Sequence, residues 1–199
     1  ILIGLVGSEM CIRDSDKQNQ FTVKSSKPGI YYFCIRNDKK KTMKILILCS
    51  DNSCLSQMAQ GWLQSFDKSL TVCSAGISPA IEVHPLAVQT LASSGIDISH
   101  HKPEAVEEYI DEPWDYVITV SRDAEENCPA FTGKVRNLIH SNFYNPARAK
   151  GTPESIANEF RRISNQIKMK MYDLYCDEIQ NGGYGPTCTC GANRFCRCN

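Results

Sequence analysis

The sequence lacks an excess of charge of either sign. Its 22 Lys and Arg residues balance 22 Asp and Glu residues, so the formal net charge is zero. A surface that binds nucleic acid or an anionic membrane is usually built from an excess of basic residues. The composition therefore argues against nucleic-acid and membrane partners, and it favours a small, compact ligand.

Long hydrophobic runs are also missing. The apolar stretch at residues 1–7 is much shorter than the about 20 residues of a spanning helix, and it lacks the basic residues of a secretory signal. We therefore expect a cytoplasmic location, in which the 11 cysteines stay reduced. Reduced thiols in this number predict thiol chemistry or metal binding rather than a disulfide framework.

The chain is long enough for one packed domain, and its patterning divides it into three parts. Residues 1–15 resemble translated adapter sequence, and residues 16–42 show no sustained hydrophobic period. We expect 1–42 to be a non-native or disordered N-terminal extension. The folded domain is predicted at 43–179, and 180–199 is predicted to be a flexible linker with a cysteine-rich tail.

Short aliphatic runs alternate with helical patterns in the predicted domain. A strand buried on both faces is predicted at 44–48, and further strands are predicted at 70–76, 115–120 and 134–140. Helices are predicted after the first strand, over 84–95 with Gly95 as the stop, and over 152–179 with Thr152 and Pro153 as start signals. This alternation predicts an α/β fold, with a four-stranded, mostly parallel sheet covered by helices on both faces.

A polar loop that begins with Cys49 follows the first predicted strand. Ligands of parallel α/β sheets bind at the carboxyl ends of strands, and a turn that leads into a helix points several N–H groups at one place. Such a loop binds anions, and it stabilises a thiolate. We therefore predict Cys49 to be a nucleophile with a pKa below about 8.5, with Ser56 donating a hydrogen bond to its sulfur. A buried, inert cysteine is the alternative.

Four cysteines lie close together at the end of the sequence. They form two Cys-x-Cys pairs separated by five residues: Cys188, Cys190, Cys196 and Cys198. Four thiolates have the number and the chemical type of ligands that zinc or copper(I) prefers. We predict a soft-metal site in this tail and no cofactor for the core domain. The same thiols are suited to disulfide exchange with Cys49.

The segment ILILCSDNSCLSQMAQGWL, with VCSAG, GIDISHHKP, WDYVITV and ENCP further on, resembles the low-molecular-weight protein tyrosine phosphatase superfamily. Within it, the sequence is most similar to the thioredoxin-coupled arsenate reductases. The resemblance covers roughly residues 43–178. It implies an arsenate or phosphate ligand and a thioredoxin-like reductant. The catalytic residues that it implies are Cys49, Cys54, Ser56 and Cys128, and the implied oxyanion cradle comprises Ser50, Asn52, Ser53 and position Leu55.

Four positions depart from the pattern of that family. Leu55 replaces the Arg that holds the oxyanion, and Asp51 replaces a loop Gly that is free to adopt unusual backbone angles. Asn145 replaces the Asp that donates a proton, and Ser121 replaces the first relay cysteine. These changes predict weaker oxyanion binding and a mechanism altered from both parental ones.

Two arginines near these positions allow two interpretations. Arg122 follows the relay position, and Arg148 lies in the loop after the fourth predicted strand. They either supply the missing guanidinium or are solvated surface residues, and the second interpretation is favoured. His100 and His101 are interpreted as structural.

Three functions remain open from the sequence. In the first, the chain is an arsenate reductase-like thiol oxidoreductase, in which Cys49 attacks the oxyanion and Cys54, Cys128 or a tail thiol resolves the adduct. In the second, it is a catalytically silent relative that binds a soft metal or arsenite through the tail. The third is protein tyrosine phosphatase activity.

Overall fold

The computed structural model describes residues 42–180 and, before them, the backbone of four strands. These strands pair antiparallel in the order β1-β2-β3-β4: β1 (Leu2–Val6), β2 (Glu9–Arg13), β3 (Gln20–Lys27) and β4 (Ile30–Cys34). They belong to a unit, Ile1–Lys41, that is separate from the unit beginning at Thr42. The sequence analysis predicted no strand here, because no hydrophobic period is sustained. It overlooked the Pro-Gly pair at positions 28 and 29, which is a turn signal between two short apolar runs. That this part is non-native stays a prediction.

The second unit contains a four-stranded sheet in which every pair of strands is parallel. Its strands are β5 (Lys44–Cys49), β6 (Thr71–Gly76), β7 (Trp114–Thr119) and β8 (Val135–His140), in the order β6-β5-β7-β8. Because β5 has a neighbour on each side and helices on its faces, its uninterrupted aliphatic run is buried throughout. The predicted α/β architecture is confirmed, and the strands lie within about two residues of their predicted positions.

Four α-helices connect and cover the strands: α1 (Leu55–Phe66), α2 (Pro85–Ala92), α3 (Arg122–Glu126) and α4 (Pro153–Leu174). The Thr152 side chain caps α4 by accepting a hydrogen bond from the Ser155 N–H at 3.2 Å, as the start signals predicted. α2 ends three residues before Gly95, which has a positive φ of 79° in the turn that follows. None of the helices described in residues 42–180 is long and apolar enough to cross a bilayer.

The alternation of side chains along β5 separates two hydrophobic clusters. Ile45 and Ile47 face the larger cluster, which contains α1, α2 and α4. Leu46 and Leu48 face the smaller cluster, in which Ala124 of α3 is buried. Helices therefore cover both faces of the sheet, as predicted, but most of the buried apolar side chains lie on the face covered by α1, α2 and α4. We call these the α1/α4 cluster and the α3 cluster.

A buried hydrogen bond joins the two longest helices. The Trp62 indole N–H of α1 donates to the Ser164 Oγ of α4 at 3.1 Å, and the two residues are 5% and 2% exposed. The N–H of a buried indole usually has a hydrogen-bond partner, because a buried donor without one costs free energy. Ser164 therefore fixes how α4 packs across α1, and so it supports the helix that follows the Cys49 loop.

Ser164→Ala is expected to lower the free energy of unfolding by about 1–3 kcal/mol, because it leaves the buried indole N–H without a partner. Chemical denaturation of the full chain measures this change. The control is Asn165→Ala at the next, exposed position of α4, for which we expect a change within about 0.5 kcal/mol. Equal stability of the two variants would contradict the role given to the hydrogen bond.

Candidate active site

The loop between β5 and α1 is held along its outer side by a neighbouring segment, 77–84. The carbonyls of Cys49, Ser50 and Asp51 accept hydrogen bonds from N–H groups of this segment at 2.8 to 3.1 Å, and the Ser53 carbonyl accepts another at 2.9 Å. Since these carbonyls face outward, the N–H groups of the loop turn toward its interior. This arrangement has the form of an anion-binding nest.

The Cys49 sulfur lies inside the loop and accepts several hydrogen bonds. The Asn52 N–H donates to it at 3.0 Å, and the Ser56 N–H is a further donor. The Ser56 Oγ lies 2.9 Å from the sulfur and accepts a hydrogen bond from the Asn52 Nδ2 at 2.8 Å, so its own proton is available for the sulfur. The geometry therefore brings together the predicted nucleophile and the predicted hydroxyl donor.

Asn52 has the strained backbone conformation of the loop. Its φ is 53°, the one positive φ at a non-glycine residue among those that the structure describes. The left-handed position of the loop is therefore Asn52 and not Asp51, the residue that stands in the place of the family's glycine. The Asn52 Nδ2 donates to Ser56 and to Ser74, at 2.9 Å in the second case, and Gln57 donates to the Asn52 carbonyl and Oδ1.

A layer behind the loop was not found by the sequence analysis. The Gln57 Nε2 also donates to the Lys102 carbonyl at 3.2 Å, and its Oε1 lies 2.9 Å from the His101 Nδ1. The Glu104 N–H donates to the Asn52 Oδ1 at 3.0 Å. Burial lowers the pKa of His101. Because the Gln57 Nε2 is the donor in its other contacts, its Oε1 accepts here and the His101 Nδ1 is the donor. The contact of His101 with Gln57 agrees with the structural interpretation, which stays a prediction. Nothing in the sequence marks Gln57 as buried.

Asp51 places a carboxylate within the loop. Its Oδ1 accepts hydrogen bonds from the Ser53 N–H at 3.0 Å and from the Ser53 Oγ at 2.8 Å. One of the N–H groups expected to serve an oxyanion is therefore already used. The negative charge of Asp51 also opposes an anion, so this residue acts against oxyanion binding both by its charge and by competition for a donor.

The pKa of Cys49 is raised, not lowered. Burial of the thiol is the largest cause, and the Asp51 charge adds to it, while the hydrogen bonds from Ser56 and Asn52 act in the opposite direction. Burial also raises the pKa of Cys54 to about 12. The predicted depression of the Cys49 pKa is wrong, because the residue is only 2% exposed and Leu55 supplies no positive charge to offset desolvation of the thiolate.

Leu55 is the first residue of α1 and belongs to the core. Its side chain is 2% exposed and lies in the α1/α4 cluster with Cys54. The sequence analysis assigned position 55 to the oxyanion cradle by resemblance. An apolar side chain buried in the core offers an anion no hydrogen-bond donor, so position 55 can contribute only its backbone N–H at the start of α1. Its place in the cradle stays a prediction.

The two relay positions are placed differently. The Ser121 Oγ lies 3.2 Å from the Ser50 Oγ, so the first position adjoins the loop, where Ser121 also caps α3. Cys128 is half-buried and packs against the α3 cluster on the other face of the sheet. Cys49 and Cys54 share the α1/α4 cluster. The structure therefore groups Cys54, but not Cys128, with the candidate nucleophile.

The residue in the place of the family's proton donor is used as a cap. The Asn145 Oδ1 accepts a hydrogen bond from the Ala147 N–H at 3.0 Å, and so begins the 3₁₀ turn Pro146–Arg148. An amide has no proton to transfer at neutral pH. This position supports the turn and does not supply a general acid.

The two arginines have different partners. The Arg122 Nε pairs with Glu126 of its own helix at 2.9 Å, and the Arg122 side chain is 82% exposed, which agrees with a surface residue. The Arg148 Nη2 lies 3.6 Å from the Asp123 Oδ2, and this same oxygen accepts a hydrogen bond from the Ser50 Oγ at 2.9 Å. Arg148 is therefore linked to the loop through one carboxylate.

The predicted metal ligands lie outside the described residues, since Cys188, Cys190, Cys196 and Cys198 all follow residue 180. Within the part that the structure describes, no three His, Cys, Asp or Glu side chains are grouped so that they could hold a metal ion. The tail site stays a prediction.

Comparison with known proteins gives a consistent result. Residues 44–181 match the family model described as low molecular weight phosphotyrosine protein phosphatase. An arsenate reductase of Halalkalibacterium halodurans is 38% identical over 124 residues, which are 62% of this chain and 88% of that protein. An arsenate reductase of Staphylococcus aureus is 39% identical over 131 residues, which are 65% of this chain and 92% of that protein.

The fold is also that of a solved structure described as an arsenate reductase in the phosphate binding state. It has a TM-score of 0.57 and 24% sequence identity, and the match covers 68% of this chain and 98% of the other. The Cys49 loop, the parallel sheet and the matched residues together lead to one conclusion: the chain belongs to the low molecular weight phosphotyrosine protein phosphatase family, and it is similar to bacterial arsenate reductases.

Proposed function

We propose that the chain is an arsenate reductase-like thiol oxidoreductase of the cytoplasm, with Cys49 as the nucleophile on a tetrahedral oxyanion. The observation that carries this proposal is the Cys49 sulfur, inside an inward-facing N–H loop, accepting hydrogen bonds from Asn52 and Ser56. The identity of 38–39% with arsenate reductases supports arsenate as the substrate.

The proposed reaction has two thiol steps. The Cys49 thiolate attacks arsenic(V), an S–As bond forms, and one arsenate oxygen leaves as water after protonation. A second thiol then attacks the Cys49 sulfur, so an S–S bond forms, the S–As bond breaks, and the electron pair remains on arsenic, which leaves as arsenite. Two thiols are oxidised to a disulfide while arsenic is reduced by two electrons, and a thioredoxin-like dithiol restores the thiols.

Cys54 is the thiol that we propose for the second step. It lies in the same loop and in the same α1/α4 cluster as Cys49, and the two are close enough for the charge of one to raise the pKa of the other. Cys128, which packs on the other face of the sheet, is proposed to act afterwards. Its thiolate attacks the Cys54 sulfur, so a Cys54–Cys128 disulfide forms, the Cys49–Cys54 bond breaks and the Cys49 thiol is released. Phosphatase activity is less well supported, because Asn145 supplies no proton for a leaving group.

Arsenite release in a single turnover tests this function. The reduced full chain is mixed with arsenate without a reductant, and arsenite is quantified by chromatography with mass spectrometry. We expect arsenite from the wild type, none from Cys49→Ser or Cys54→Ser, and an unchanged yield from Cys128→Ser. With thioredoxin and its reductase present, we expect Cys128→Ser to lose steady-state turnover.

The control is Cys73→Ser, which removes a half-buried thiol of β6 and is expected to change neither yield nor turnover. Arsenite formation by Cys49→Ser, or the absence of any arsenite from the wild type, would contradict the proposal.

The pH dependence of Cys49 alkylation tests the electrostatics of the loop. Because its folded-state pKa is raised, the thiolate fraction is small at neutral pH. We expect the alkylation rate to rise through pH 9 instead of levelling off below about 8.5. The rate is measured on the full chain with iodoacetamide, by mass spectrometry of the peptide that contains Cys49.

Asp51→Asn removes the negative charge but keeps an oxygen that accepts the hydrogen bonds from Ser53, so it is expected to shift this profile to lower pH. Glu107→Gln, an exposed change in the 3₁₀ turn Val106–Tyr109, is the matched control and is expected to leave the profile unchanged. A plateau below about pH 8.5 in the wild type would show that the pKa is not raised.

A second candidate function rests on the cysteine pattern of the tail. We propose that the two Cys-x-Cys pairs bind one soft metal ion, zinc or copper(I), through four thiolates. Such binding is independent of the core loop, and it would serve a relative that has lost turnover. When they hold no metal, the same four thiols are also suited to the capture of arsenite.

Native mass spectrometry of the reduced full chain with zinc tests the tail site. We expect one zinc per chain, and none after Cys188, Cys190, Cys196 and Cys198 are all changed to Ser. The control is the double variant Cys73→Ser, Cys176→Ser, which is expected to retain the ion. Zinc retained by the fourfold variant would place the site elsewhere.

A further inference from the structure

One guanidinium lies next to the Cys49 loop although position 55 is leucine. Arg148 ends the 3₁₀ turn Pro146–Arg148, in the loop that follows β8 at the carboxyl edge of the sheet. Its Nη2 is 3.6 Å from the Asp123 Oδ2, which accepts a hydrogen bond from the Ser50 Oγ at 2.9 Å. A single carboxylate oxygen thus stands between this guanidinium and the residue that follows Cys49.

We propose that Arg148 is an oxyanion-binding residue of this site, and that it supplies the positive charge that Leu55 does not. The assignment rests on the proposed function. The ligand is a tetrahedral oxyanion such as phosphate or arsenate, whose paired oxygens match the forked donors of a guanidinium. Arg148 lies in the turn after β8 and is linked to Ser50 through Asp123, whereas the side chain at position 55 lies within the core at the start of α1.

The contact of Arg148 with Asp123 is loose enough to be exchanged for a ligand. Its 3.6 Å separation exceeds that of a normal hydrogen bond, and the two side chains are 72% and 57% exposed. An exposed pair of this kind contributes little to stability. Asp123 therefore keeps the guanidinium near the loop, and an arriving dianion can draw it away at small cost.

Arg122 provides a natural comparison. It has the same charge and a similar exposure of 82%, but its Nε is paired at 2.9 Å with Glu126, one turn further along α3. Its ion pair is contained within that helix, whereas the ion pair of Arg148 continues to Ser50. Removal of either arginine changes the net charge equally, and only the removal of Arg148 breaks the link to the loop.

Calorimetric titration of the full chain with inorganic phosphate tests the assignment. Arg148→Ala is expected to weaken phosphate binding at least about tenfold, which is the lower end for loss of a hydrogen bond to a charged group. Arg148→Lys keeps the positive charge but loses the two parallel donors of the guanidinium. Its dissociation constant for phosphate is expected to lie between those of the wild type and Arg148→Ala. For Arg122→Ala we expect a dissociation constant within about twofold of the wild type, since exposed charges act weakly.

Three results would overturn the assignment. Unchanged phosphate binding by Arg148→Ala excludes a contact with the anion and leaves the proposed function standing. If Arg148→Ala and Arg122→Ala lose phosphate affinity equally, the effect comes from net charge and not from a contact of Arg148 with the anion. A wild-type chain that binds no phosphate overturns the proposed function together with this assignment. Both arginines are exposed, so both variants are expected to keep the wild-type unfolding temperature.

Discussion

The left-handed backbone of Asn52 is the constraint on which the rest of the site depends. This conformation turns the loop so that the Asn52 N–H meets the Cys49 sulfur at 3.0 Å. This conformation costs free energy at a residue with a side chain. It persists because both the nitrogen and the oxygen of the side-chain amide are hydrogen-bonded. Ser56 and Ser74 accept from its nitrogen, and Gln57 donates to its oxygen. The loop shape is thus imposed by its neighbours.

The backbone of this loop has the form of an anion-binding nest, but the charges around it do not favour an anion. The hydrogen bonds that build the nest are complete, yet the charges around the sulfur oppose a thiolate, because Asp51 adds a negative charge and Leu55 adds none. Burial then raises the Cys49 pKa. Apart from the hydrogen bonds of the loop, a thiolate here is stabilised only by positive charge from elsewhere. The loops after β7 and β8 lie at the same edge of the sheet as the Cys49 loop, and they carry Arg122 and Arg148.

How much could be predicted from the sequence depends on whether a feature is local. The strand before Cys49 and the cap of α4 follow from aliphatic runs and from Thr152 with Pro153, and both were predicted. The pKa of Cys49 was predicted in the wrong direction. Dipoles of the loop are visible in its sequence, but desolvation depends on every group that covers the sulfur. The antiparallel strands before Lys41 were missed, since short runs carry little periodic signal.

The sequence by itself determined the parallel α/β sheet and the position of Cys49 at a strand end, whereas the resemblance to the family showed that Leu55 stands where an arginine is expected. Hydrophobic period and residue identity carry that information along the chain. Only the tertiary structure decided that Asn52, and not Asp51, takes the left-handed conformation, that Cys128 lies across the sheet from Cys49, and that Arg148 reaches Ser50 through Asp123. Those relations join residues far apart in the chain, and local sequence contains no record of which distant groups will meet.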